Sequence, residues 1–241
     1  MKNSFAIDVK NLTKKFGKFM AVDSVELKVK EGEIFGILGP NGAGKTTTIR
    51  MLCGLLLPTS AEGTVNGFDI MKEPEEIKKS IGYVSQKFSL YDDLTLKENL
   101  NFYSGIYKVK DLEKKEEIIK ALGLSIYKNK NTGELPLGIK QRLALACAIM
   151  HNPKILFLDE PTSGTDPVYR RSFWEIIYEL SEKGTTIILT THYLEEAEFC
   201  ERVCLFFKGK IISEGSPLFL KERYGKASLE EVFISAIEEN L

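Results

Sequence analysis

The sequence has no apolar run approaching the roughly 20 residues that span a bilayer. Its longest strings, Ile34-Phe-Gly-Ile-Leu and Thr186-Ile-Ile-Leu-Thr among them, have the length of buried strands. A membrane role would leave the spanning to another chain. The start, Met1-Lys2-Asn3-Ser4, lacks the apolar stretch of a signal peptide. Cysteine is scarce: Cys53, Cys147, Cys200 and Cys204, with no C-x-x-C pair. Cys200 and Cys204 stand one helical turn apart, a spacing open to a metal. With only two histidines in the chain, further ligands are few, and we read all four cysteines as small buried hydrophobes in a reducing compartment. An excess of either charge is also missing. Lys+Arg number 33 against Asp+Glu 34, a net charge of -1, which removes any case for broad attraction to nucleic acid or a lipid surface. No nucleic-acid partner is expected.

What is present is ordinary in bulk and specific in detail. A length of 241 residues, 43% hydrophobic and 28% charged, suits one large domain, or a domain with a subdomain, able to bury a core without disulfides. Alternating apolar residues predict strands over 5–9 and 24–30. A buried strand at 34–38 runs directly into a glycine-rich loop, and a helix follows over 45–57, stopped by Pro58. A hairpin piece at 63–69 and a strand at 81–86 ending on Gln86 complete the first block. The middle turns helical: Thr95 and Glu98 form a capping box, Leu96, Leu100, Tyr103 and Tyr107 recur at helical spacing, and further helices are expected over 111–122 and 138–150. Strand and helix then alternate again. A strand at 155–158 ends in Asp159-Glu160. Asp166-Pro167 opens a helix to Glu182, a strand at 185–191 ends on His192, and a helix covers 195–201. Strands at 203–207 and 210–213 lead into a mixed tail. There is no internal repeat, low-complexity tract or linker.

Three features carry chemistry. Gly39-Pro40-Asn41-Gly42-Ala43-Gly44-Lys45-Thr46-Thr47 satisfies G-x-x-x-x-G-K-[ST] at every fixed position, with the required strand before it and helix after it. Its glycines let backbone N–H groups face phosphates, and the helix turns its positive end toward them. Lys45 should reach the β- and γ-phosphates of a nucleoside triphosphate, and the Thr46 hydroxyl should ligate Mg²⁺. Asp159-Glu160 is the second feature. Carboxylates at the end of an apolar strand are costly to bury without cationic partners, and strand ends beside a phosphate loop are where ligands sit. Asp159 would hold Mg²⁺ through water and Glu160 would polarise the attacking water; the plainer alternative is a solvated strand end. His192, the third, serves either as a structural hydrogen-bonder or as a group at the γ-phosphate. His151, beside Asn152-Pro153, reads as a surface loop residue.

These segments occur in the order found in ATP-binding-cassette (ABC) ATPases, and the resemblance covers essentially the whole chain. It implies an α/β fold: a P-loop NTPase core of mostly parallel sheet with flanking helices, an N-terminal antiparallel β-subdomain and an inserted α-helical subdomain. On this chain the core would span 1–87 and 151–241, and the helical insert 88–150. The resemblance further assigns Phe16 to adenine stacking, and Gln86 to Mg²⁺ contact and coupling to the insert. It assigns Asp166 to communication across a dimer and His192 to the γ-phosphate. Leu135-Pro136-Leu137-Gly138, with Gln141 and Arg142, resembles the signature that closes on a partner's ATP. Here Pro136 replaces the usual serine and Leu137 the first glycine, so a hydroxyl and an N–H are lost at that point.

That Leu-Pro-Leu-Gly variant, Phe88-Ser-Leu-Tyr-Asp-Asp-Leu-Thr after Gln86 and Ser228-Leu-Glu-Glu-Val-Phe near the end resemble subunits of multidrug or polysaccharide and antibiotic exporters. The resemblance implies an ATP-hydrolysing subunit with ATP and Mg²⁺, sandwiching ATP with a second cassette. It would drive a separate transmembrane permease, peripherally at the cytoplasmic face of the membrane. Phe88, Leu90 and Tyr91 are expected to line a groove for a permease helix, or else to serve as core aromatics of the insert. A soluble translation or DNA-repair ATPase, and a weakly hydrolysing nucleotide switch motivated by Pro136 and Leu137, are the alternative functions.

Overall fold

The computed structural model describes residues 4–240; most of the Met1-Lys2-Asn3-Ser4 reading lies outside them. Two long strands, β1 (Phe5–Phe16) and β2 (Phe19–Lys30), form an antiparallel hairpin joined at Gly17-Lys18. Both exceed the expected strands, because Asn11 and Ser24, at φ 54° and 50°, interrupt the alternation that marks a strand. With β4 (Ser60–Val65) and β5 (Phe68–Asp69) they make a four-stranded sheet in the order β2-β1-β4-β5.

The central sheet has six strands. β3 (Ile34–Leu38) lies between β9 (Arg202–Phe207) and β8 (Thr186–Thr191), followed outward by β7 (Ile155–Asp159) and β6 (Ile81–Val84). These five are parallel, and β10 (Lys210–Gly215) adds an antiparallel edge. Parallel strands buried on both faces read as continuous apolar runs, as β3 and β7 do. Their alternate residues feed two cores. Phe35, Ile37 and Phe157 face the antiparallel sheet and α1 (Lys45–Leu52); Leu38, Leu156 and Leu158 face the helices of the insert and those after residue 166.

The insert contains α3 (Leu96–Ile106), α4 (Leu112–Ala121) and α5 (Leu137–Ile149). The expected capping box at Thr95 and Glu98 is present, with both reciprocal bonds made. α6 (Pro167–Glu182) begins at Asp166, whose side chain accepts from Tyr169 N at 2.9 Å. Trp174 on this helix is buried against Phe199, ring centroids 5.2 Å apart.

Several boundaries differ from expectation. α1 ends at Leu52 rather than 57, because Gly54 turns the chain at φ 69° well before Pro58. A helix over 195–201 is reduced to α7 (Leu194–Ala197). Cys200 follows it while Cys204 lies in β9, so the two are not one helical turn apart. All four cysteines are buried free thiols, and no metal-binding cluster of His, Cys, Asp or Glu occurs among the described residues. An unexpected helix, α2 (Pro74–Ser80), precedes β6, and the tail forms α8 (Pro217–Tyr224) and α9 (Leu229–Glu238). No helix of the described residues is long and apolar enough to cross a membrane.

Candidate functional site: a phosphate loop at the carboxyl edge of the sheet

Parallel strands bring their carboxyl ends to one edge, where the loops are free to bind ligands. There β3 delivers the glycine-rich loop, β7 delivers Asp159-Glu160, β8 delivers His192, and Gln86 follows β6. The loop folds tightly. Gly44, at φ 112°, is the N-cap of α1, and a Cβ there would lie 2.6 Å from Ala21 O. Only glycine tolerates both the conformation and that approach. Lys45, 4% exposed, donates from Nζ to Gly39 O at 2.7 Å and Pro40 O at 3.2 Å, and lies 3.5 Å from Glu160 Oε1. Burial lowers its pKa below the ordinary lysine value, opposed by the charges of Glu160 and Asp159.

The two carboxylates are buried, and each has partners. Asp159 Oδ1 accepts from Thr190 Oγ1 at 2.6 Å and Thr46 Oγ1 at 3.1 Å. Desolvation nevertheless raises its pKa. Glu160 stands at φ 50°, a left-handed conformation for a non-glycine residue. Its N–H is held by Thr190 O at 3.1 Å and Thr190 Oγ1 at 3.0 Å. Such strain persists only where surrounding structure enforces it. Gln86 Nε2 donates to Glu160 Oε2 at 2.9 Å, and His192 Nδ1 lies 3.2 Å from the same oxygen. Lys45, Gln86 and His192 thus surround one carboxylate, which excludes the solvated-strand-end alternative.

Phe16, half exposed, occupies the tip of the β1–β2 hairpin at the mouth of this pocket, which Asn41, Gly42, Thr46 and Thr47 also line. Its cross-strand partner Phe19 lines the same pocket and is 64% exposed; neither Phe19 nor Thr190 stood out in the sequence. A Thr-Thr pair preceding His192 was the only available signal for Thr190.

The signature segment lies apart from this pocket, at the start of α5. Leu135 is buried, Pro136 is the N-cap without a side-chain bond, and Leu137 is 44% exposed. A Cβ on Gly138 would meet the Tyr169 ring at 2.7 Å, so α5 closes on α6 through a glycine. Gln141 Nε2 approaches Ser163 O at 3.5 Å, and Arg142 Nη2 donates to Ser172 Oγ at 2.9 Å. The segment and the loop leading to Asp166 are therefore bonded within one chain, both at a distance in sequence from the phosphate loop.

His151 lies in the turn after α5, as expected of a loop residue, but it is half-buried rather than exposed. Its ring stacks on Tyr107, centroids 3.8 Å apart, and Nε2 bonds Ile81 O at 3.0 Å. Because a carbonyl only accepts, Nε2 carries the proton. Both rings line an apolar groove of about 680 Å³ between the sheet and the insert, together with Phe88, Leu90, Tyr103 and Cys147. Tyr91 is absent from that lining; it is 48% exposed and packs edge-on to Phe102 at 4.7 Å.

A phosphate loop, strand-end carboxylates and a mostly parallel sheet define a P-loop α/β nucleotide-binding fold. The family model described as "ABC transporter" matches residues 22–163, more than half of the chain. The chain belongs to the ABC transporter family. It is 49% identical over 241 aligned residues to the probable multidrug ABC transporter ATP-binding protein YbhF of Escherichia coli (strain K12). That match covers 97% of this chain and 42% of the relative, so the chain spans about two fifths of that protein's length. It is 38% identical to the linearmycin resistance ATP-binding protein LnrL of Bacillus subtilis (strain 168), covering 97% of this chain and 76% of that one. Among solved structures, one chain of the dimeric post-hydrolysis state of the ATP-binding cassette MJ0796 bound to ADP and Pi superposes with a TM-score of 0.80. It has 29% identity and covers 87% of this chain and 98% of that one.

Proposed function

We propose that the chain binds ATP at residues 39–47, hydrolyses it, and powers export through a separate membrane permease. The observation carrying this reading is Glu160, strained, buried and flanked by Lys45, Gln86 and His192 beside the phosphate loop. In hydrolysis, water attacks the γ-phosphorus and the bond to the bridging oxygen of ADP breaks. Glu160 takes the water's proton; Lys45 and the amides opening α1 bear on the phosphate charge. His192 faces the γ-phosphate, and Phe16 stacks on adenine with Phe19 beside it. The Thr46 hydroxyl and the Asp159 carboxylate, bonded at 3.1 Å, form an oxygen-only donor set suited to Mg²⁺. These two residues and the Gln86 amide oxygen would hold it. When bound, the ion neutralises charge on the phosphoryl oxygens.

The names of the relatives, multidrug transporter and linearmycin resistance ATP-binding proteins, support the export reading, and the MJ0796 dimer supports a second cassette as partner. In that pairing residues 135–138 would face the partner's ATP, and Asp166 would lie at the seam. We place the division between nucleotide core and insert at residues 88 and 150. The groove holding Phe88 and Leu90 would receive a cytosolic permease segment, keeping the chain peripheral at the cytoplasmic face of the membrane.

The test is phosphate release by the purified protein with Mg²⁺ and ATP. Glu160→Gln should lose roughly 10²–10⁴ in rate; turnover equal to that of the variant would defeat the hydrolysis claim. For docking, Phe88→Ala should weaken permease co-purification while Tyr91→Ala, outside the groove, leaves it intact.

A further inference from the structure

Glu196, on the short α7, is 1% exposed and lies outside the phosphate pocket. A buried carboxylate is costly unless it is paired and hydrogen-bonded. Its partners come from three separate segments. Thr191 Oγ1, adjoining His192, donates to Oε2 at 2.7 Å. Thr162 Oγ1, two residues after Glu160, donates to Oε1. Arg170 Nε, in the first turn of α6 after Asp166, lies 3.5 Å from Oε1. The Arg170 guanidinium also sits 4.9 Å from the centre of the Tyr193 ring, and Tyr193 in turn lies against His192, ring centroids 4.1 Å apart. One enclosed charge therefore ties the strand end bearing His192 to the loop that runs from Glu160 to Asp166.

We propose that Glu196, paired with Arg170, is a positioning residue that holds His192, Glu160 and the Asp166 loop in one fixed frame for hydrolysis. This rests on the hydrolysis reading above. Neither member of the pair bonds a residue of the phosphate loop, so its loss should slow the chemical step without weakening ATP binding. Glu196→Gln keeps the shape and a hydroxyl acceptor but removes the charge facing Arg170. Arg170→Met removes the cation from the other side while keeping an apolar stem.

The experiment is steady-state phosphate release by the purified full chain across ATP concentrations, with a thermal melt of each variant. Glu196→Gln and Arg170→Met should each lower kcat about tenfold with KM for ATP close to wild type; Arg170→Met, which leaves a buried charge unpaired, should also lower the melting midpoint while the protein stays folded at the assay temperature. The double variant should be no slower than either single one, because the two act as a unit. Glu196→Asp, which keeps the charge, should lose less than Glu196→Gln. The inference is overturned if Glu196→Gln retains kcat within about twofold, if the loss appears in KM or follows unfolding, or if the two substitutions add. Should Glu196→Gln not fold, unchanged kcat in Arg170→Met overturns it. Wild type no faster than Glu160→Gln is a different outcome, which removes the hydrolysis reading and this inference with it.

Discussion

At the scale of single residues, buried titratable groups do different work in the pocket and in the groove. Lys45 is the cation nearest two buried carboxylates, and burial already disfavours its charge. Lys45→Met should reduce ATP affinity at least about tenfold, since hydrogen bonds to charged groups contribute roughly 1.5–3 kcal/mol; calorimetric titration reads this. His151 illustrates a pH effect. Burial lowers its pKa below 6.5, so the folded protein holds it neutral while the unfolded chain protonates. Stability from this group is full above pH 6.5 and is lost as pH falls toward the folded pKa. His151→Phe keeps the stack on Tyr107 and should flatten the decline in melting midpoint below pH 6.5, measured against wild type. The motif residues of the pocket were legible in sequence because the loop is contiguous and each strand end announces its polar residue after an apolar run. Thr190 and Glu196 were not, because their roles come from contacts 31 and 34 residues away, to Asp159 and Thr162.

At the scale of elements, local chemistry decided what could be read. Thr95 with Glu98, and Asp166 with Pro167, are start signals complete within four residues, and both helices begin where those residues place them. α2 went unread because Ile77 is its sole apolar residue and gives no periodicity. The bulged β1 and β2 were shortened for the opposite reason: a real pattern shifts phase partway along. The contact between α5 and α6 is an exacting element pairing, since Gly138 leaves no room beneath Tyr169. Gly138→Ala should cost about 1–3 kcal/mol by overpacking, seen as a lower denaturation midpoint, and Tyr169→Leu in the same chain should recover part of it.

At the scale of the whole molecule, the central sheet is a wall between two cores. One supports the antiparallel sheet carrying Phe16, the other supports the insert carrying Pro136. Closure of two cassettes would bring the second surface onto the partner's site, and there Pro136 offers neither hydroxyl nor N–H. Pro136→Ser should add a side-chain cap to α5, worth about 1 kcal/mol. It should also strengthen ATP-driven pairing roughly tenfold or more by restoring a bond to a charged phosphate, measured by sedimentation with Glu160→Gln to hold ATP. The chain also has a single tryptophan, Trp174, enclosed where α6 meets Phe199. All indole emission therefore originates at the seam between the helix that starts at Asp166 and the segment that follows Glu196. Its colour and intensity report, without any attached dye, whether that seam stays shut through a catalytic cycle.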